Sequence, residues 1–194
     1  QDTIAPTANP TQSPAANASG WTTSQNVTVN WNWTDNGTLD ATNCTTSSNS
    51  GSELGIITIE ASCSDLADNL GVASYTLQID PFAPLISRTR NPGPNTQGWN
   101  NSAVAVSFGC NDGNFSSGVA SNTLAGATLS SEGENQSVTN TGSCVDVAGN
   151  VATPATVSPI NIDLTKPTIS AAVTTAPNAN GWYNHNVTIH YTCT

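Results

Sequence analysis

Gly20-Trp21-Thr22-Thr23-Ser24-Gln25-Asn26-Val27-Thr28-Val29-Asn30-Trp31-Asn32-Trp33 holds a strict two-residue alternation. Val27, Val29, Trp31 and Trp33 fall on one side, and Asn26, Thr28, Asn30 and Asn32 on the other. That period belongs to a β-strand with one face on a core and the other in water. A slip of one residue would carry two tryptophans into solvent, so the register is strongly specified. The same alternation returns twice, as Val104, Val106, Phe108 and Cys110, and as Val187, Ile189, Tyr191 and Cys193. A cysteine ends the second and third rows, and Trp33 stands in its place in the first.

Upstream of each row lies a Gly-Trp pair, Gly20-Trp21, Gly98-Trp99 and Gly181-Trp182. Each tryptophan follows an aspartate by 19 residues, and each of these aspartates is followed four residues on by proline: Asp2 and Pro6, Asp80 and Pro84, Asp163 and Pro167. The spacing between copies is 78 and then 83 residues, which suits a row of small sandwich units better than a short-period solenoid. Downstream, Cys63-Ser64-Asp65-Leu66-Ala67-Asp68-Asn69 matches Cys144-Val145-Asp146-Val147-Ala148-Gly149-Asn150. Ile57, Ile59, Ala61 and Cys63 alternate inward ahead of the first of these. The economical disulfide joins Cys110 to Cys144. Cys44, in a Thr/Ser/Asn-rich stretch read as a loop, pairs with Cys63 by elimination, and Cys193 is left over; the sequence leaves other connectivities open.

Composition narrows the classes. The net charge is −10, with only Arg88, Arg90 and Lys166 basic, so a row of phosphates or an anionic membrane has nothing to bind. No apolar run approaches the ~20 residues of a membrane span. Five cysteines without metal-ligand spacing point to disulfides and an oxidising compartment. These features predict a secreted, extracellular or cell-surface chain. The third copy holds one alternating strand and no partner sheet, which predicts that its apolar row is covered by continuing chain or by a neighbouring subunit.

The Asp-x-x-x-Pro junction, the Gly-Trp before an alternating strand and the Cys-x-Asp-x-Ala-Gly-Asn turn together resemble the bacterial immunoglobulin-like repeats, similar to hyalin-type repeats, found in tandem on secreted and surface proteins. The resemblance implies an all-β chain of tandem immunoglobulin-like β-sandwich domains: residues 1–80, residues 81–163, and an incomplete third at 164–194. It implies a structural role in an extracellular fibre or cell-surface stalk, and the uncovered row of the third copy adds the expectation of self-association through the incomplete C-terminal repeat. An adhesin or carbohydrate-binding module, and a spacer carried by a secreted enzyme, are the alternatives.

Nothing in the sequence assembles a catalytic set, and the expectation is that the chain is not an enzyme. His185 and His190 are five apart, on opposite faces of a strand. Glu132 and Glu134 lie in a Ser/Gly-rich loop without a cleft signature. Trp21, Trp99 and Trp182 recur at one position, which favours packing over ligand stacking. Calcium, the one cofactor considered, would use Asp65, Asp68, Asp80, Asp146 and Asp163, a hard-oxygen set near the junctions. Turn capping by the same side chains is the competing reading. Nine N-x-S/T sequons offer glycosylation at Asn17, Asn26, Asn32, Asn36, Asn43, Asn100, Asn114, Asn135 and Asn186. Asn26, Asn32 and Asn186 fall on the expected outward face.

Overall fold

The computed structural model of the chain describes residues 1–114 and 116–194. Among them every regular element is a strand, and no helix is long and apolar enough to cross a membrane. Residues 1–80 form β1 (Thr11–Ser13), β2 (Trp21–Thr22), β3 (Thr28–Asn30), β4 (Leu39–Cys44), β5 (Ser47–Asn49), β6 (Gly55–Asp65) and β7 (Leu70–Ile79). They make two sheets, ordered β1-β3-β5 and β2-β7-β6-β4. Residues 81–163 form β8 (Leu85–Asn91), β9 (Trp99–Asn100), β10 (Val104–Asn111), β11 (Val119–Asn122), β12 (Ala127–Leu129), β13 (Gly133–Thr139), β14 (Cys144–Asp146) and β15 (Thr156–Ile162). Their sheets run β8-β10-β12, β9-β15-β13 and β11-β14.

With β13 and β14 taken together as the counterpart of the long β6, the strand order of the two segments is the same. The correspondence extends to register. Trp21 and Thr22 pair in parallel with Gln78 and Ile79, and Trp99 and Asn100 pair in parallel with Asn161 and Ile162. Asp65 faces Leu39 across the ladder as Asp146 faces Val119.

The alternating stretch behaves as its period dictates. Val27, Val29 and Trp31 are fully buried and pack with Ala61, Leu77 and Ile79 from the opposite sheet, while Asn26, Asn30 and Asn32 are exposed and Thr28, of the same outward set, is half-buried. Trp33 is half-buried, its ring centroid 6.5 Å from that of Trp31. In the second segment Val104 and Val106 meet Val138, Ile160 and Ile162. Each such side chain contributes roughly 1.5–3 kcal/mol on leaving water.

The strand expected to run to Trp33 ends at Asn30, and Asn32 beyond it sits at φ 47°. Asparagine tolerates this region because its amide bonds locally, and here Nδ2 donates to Asn9 O, Thr11 Oγ1 and Asn30 O. Thr11 pairs with Asn30 and Thr7 with Thr34, so the register survives the break and the alternation of side chains with it.

Cys44 is bonded to Cys63 and Cys110 to Cys144, with Cα separations of 3.9 and 5.8 Å. The second bridge joins β10 to β14, which belong to different sheets. The first lies within one sheet. Cys44 is not in a loop: it ends β4, directly opposite Cys63 of β6, because the polar segment adds to the sheet edge through backbone bonds. Trp33 occupies the position that Cys110 has in the other segment and lies against Gly71. A Cβ on Gly71 would come within 2.1 Å of Pro6 O and 3.3 Å of Trp33 Cζ3, so only glycine lets the Pro6 carbonyl approach here, with the indole packed close beside it.

β16 (Ile169–Val173) and β17 (Ile189–Cys193) form an antiparallel pair that is exposed throughout. Ile169 is 73% and Tyr191 63% exposed, and Cys193 is a free, exposed thiol. Glu132 ties down the approach to this pair: its carboxylate accepts from Leu164 N and Thr165 Oγ1 at 2.8 and 2.6 Å. The Thr165 hydroxyl and then the Leu164 amide hold the Glu132 carboxyl below its usual range.

Candidate metal centre

Two sets of three aspartates converge, one within residues 1–80 and one between Asp80 at the junction and residues 81–163. Asp2, Asp35 and Asp65 form the first set, and Asp80, Asp112 and Asp146 the second; in each, one carboxylate oxygen per residue lies within 4.8 Å of the others. The members occupy corresponding places: the junction Asp before Pro, an Asp just past the alternating strand, and the Asp that ends β6 or β14.

Asp65, Asp80 and Asp146 are 2%, 1% and 2% exposed. Asp65 Oδ1 accepts from the Ala67 and Asn69 amides and Oδ2 from Asn69 Nδ2. Asp146 Oδ1 accepts from Gly149 N and Asn150 N, and Oδ2 from Asn150 Nδ2. The same asparagine amides reach the junction backbone, Asn69 to Asp2 O at 3.3 Å and Asn150 to Asp80 O at 2.9 Å. The late turn therefore caps itself and clasps the junction in one motif. These bonds, the Asn69 side-chain amide foremost, hold the Asp65 carboxyl below the usual carboxylate range.

Asp112 moves the other way: burial, then the charges of Asp80 and Asp146, push its carboxyl up. Two carboxylate oxygens, Asp35 Oδ1 and Asp112 Oδ2, are shut off from solvent without a hydrogen-bond partner. No basic side chain is among the donors to either set in the described residues. Arg88 bonds Thr156 O, and Arg90 bonds Pro159 O and Asn100 Oδ1.

Of the aspartates expected from sequence, Asp65, Asp80 and Asp146 enter these sets. Asp68 and Asp163 do not. Asp68 is exposed on the turn at φ 66°, and Asp163 is exposed with Oδ1 accepting from Thr165 N. Asp2, a junction aspartate like Asp80, and Asp35 and Asp112 are not among the expected ligands, although Asp35 and Asp112 follow Trp33 and Cys110 at the same offset of two.

The Gly-Trp turns share another unforeseen group. Asn17 Oδ1 accepts from Ser19 N and Trp21 N, Asn95 Oδ1 from Gln97 N and Trp99 N, and Asn178 Oδ1 from Asn180 N and Trp182 N. The glycine takes φ 85°, 88° and 81° in turn, a region that disfavours any side chain. Replacing Asn95 with alanine removes the one oxygen that accepts two amide hydrogen bonds in the turn that delivers half-buried Trp99. The expected loss is about 1–2 kcal/mol of stability, read as a lower midpoint in urea unfolding. Trp21 is buried, as packing requires, but Trp182 is 74% exposed, because β16 and β17 have no second sheet beside them.

Glycan acceptors divide by environment. Asn26, Asn36, Asn114, Asn135 and Asn186 are exposed. Asn100 differs from these: it is 5% exposed, and its Nδ2 donates to Pro92 O and Gly93 O inside the fold. Asn17, Asn32 and Asn43 are exposed with Nδ2 engaged, Asn17 with Val147 O at 2.8 Å, Asn32 with Asn9 O and Asn43 with Asp40 Oδ2. His185 Nδ1 lies 2.8 Å from Asn184 Oδ1, and His190 is exposed on β17. Glu134 is exposed. Compared with known proteins, the chain matches no family model, and no curated protein matches it.

Proposed function

We propose that the chain is a stretch of a structural repeat protein, built of tandem immunoglobulin-like units in a secreted, glycosylated fibre or cell-surface stalk. The observation that carries this reading is the joint at Asp80. Its amide donates to Thr22 O in the first segment at 2.9 Å; its Oδ2 accepts from Ser117 N and its carbonyl from Asn150 Nδ2 in the second, at 2.7 and 2.9 Å. Asn17 Nδ2 adds a direct bond from the first segment to Val147 O of the second. A short linker held on both sides resists bending, and a bridge inside each segment resists extension, which is what a stalk under tension requires. Self-association is assigned to the apolar row of β16 and β17. No catalysis is assigned to the chain.

Electron microscopy with gold-labelled antibody against residues 1–163 is the test. Label along filaments or stalks at the surface of the producing cells is the expected result. Label on dispersed particles of single-chain size would overturn the reading. Intact mass before and after deglycosylation tests the glycan part: a mass of 19.8 kDa for this stretch, unchanged by the treatment, would remove it.

A further inference from the structure

We infer that each aspartate triad, Asp2/Asp35/Asp65 and Asp80/Asp112/Asp146, is a binding site for a divalent cation of the calcium type. Three carboxylates gathered without a cation are mutually repulsive, and burial sharpens the cost. Asp65, Asp80 and Asp146 are almost wholly buried, and the three basic residues of the chain are not among the triads' donors. Turn capping accounts for the hydrogen bonds of Asp65 and Asp146, and for Asp35 Oδ2, which accepts from Gly37 N at 2.8 Å, but it leaves one oxygen over in each set. Asp35 Oδ1 and Asp112 Oδ2 are enclosed and accept nothing, one orphan oxygen per triad at corresponding positions. That arrangement fits a missing positive partner rather than a missing donor.

The chemistry selects the ion. All three ligands are hard carboxylate oxygens, with no His or thiolate among them. Two oxygens on one calcium, at bonds of about 2.4 Å, stand at most about 4.8 Å apart, and the carboxylate oxygens of each triad all lie within 4.8 Å of one another. An approach exists at the second site, where Asp80 and Asp112 border a cleft of about 620 Å³ together with Ser52 and Leu54 of the first segment. An ion there would fasten Asp80, already the pin of the joint, to the body of the second segment. The binding claim stands apart from the fibre reading, and its failure would leave that reading in place.

The test is calorimetric titration of the oxidised, chelator-stripped 1–194 chain with calcium chloride, paired with thermal unfolding. Two sites per chain are expected, with Kd on the order of 0.1–1 mM, as in extracellular modules. At about 10 mM calcium the unfolding midpoint should rise on the order of 10 °C. Asp35→Asn and Asp112→Asn should each remove one site. In chelator each variant should be at least as stable as the parent, because one of three mutually repelling carboxylates has been removed, and this separates ion binding from a structural role. No heat and no midpoint shift overturns the inference. So does an undiminished two-site response in the double variant, or a loss of stability in chelator for both single variants.

Discussion

Trp31→Ala is expected to lower the stability of residues 1–80 by about 3–5 kcal/mol, the range for truncating a buried aromatic. The side chain has no exposure and packs with Val27, Val29, Ala61, Leu77 and Ile79. Its Nε1 donates to Ser48 Oγ at 2.9 Å, so the alanine leaves a cavity and a hydroxyl without its partner. Small domains are stable by only about 5–15 kcal/mol, and the variant sits near the edge of folding. Equilibrium urea unfolding measures the loss, and Trp31→Phe should recover a good part of it. A midpoint within error of the parent would show that the first core is not organised around this ring.

Removing the Cys110–Cys144 bridge with paired alanines is expected to cost about 4 kcal/mol, against about 3 kcal/mol for Cys44–Cys63. The separations are 34 and 19 residues, and the entropy recovered by the unfolded chain grows with loop length. The second segment also has the leaner core, the five aliphatic residues Val104, Val106, Val138, Ile160 and Ile162, where the first has six buried residues including a tryptophan. Reduction should therefore split thermal unfolding into two transitions, the second segment melting first. Coincident transitions, or a second-segment transition indifferent to reductant, would refute this order.

The aspartate sets show how far residue spacing carries. Asp80 and Asp146 were visible as repeat positions because they recur in motifs with proline and asparagine. Asp35 and Asp112 stand alone in Ser/Gly/Asn-rich surroundings, and only the return of the chain past β3 and β10 brings them to the junction. Asn100 makes the same point in reverse: its sequon is an address written in three residues, but its burial comes from β15 and the 92–93 turn closing over it.

The sequence by itself determined the strand register of 26–33, since a period of two admits only one placement that keeps Val27, Val29 and Trp31 dry. It also determined the recurrence of the Gly-Trp turn and the late Asp-to-Asn turn, whose bonds are made within four residues. The tertiary structure decided the rest. Cys44 became a strand residue because an edge forms by backbone hydrogen bonding, which leaves no side-chain signature. The aspartates met because separate loops end at one junction. The row Ile189 and Tyr191 stayed in water because alternation specifies which side chains share a face, whereas burial needs a second surface to cover it.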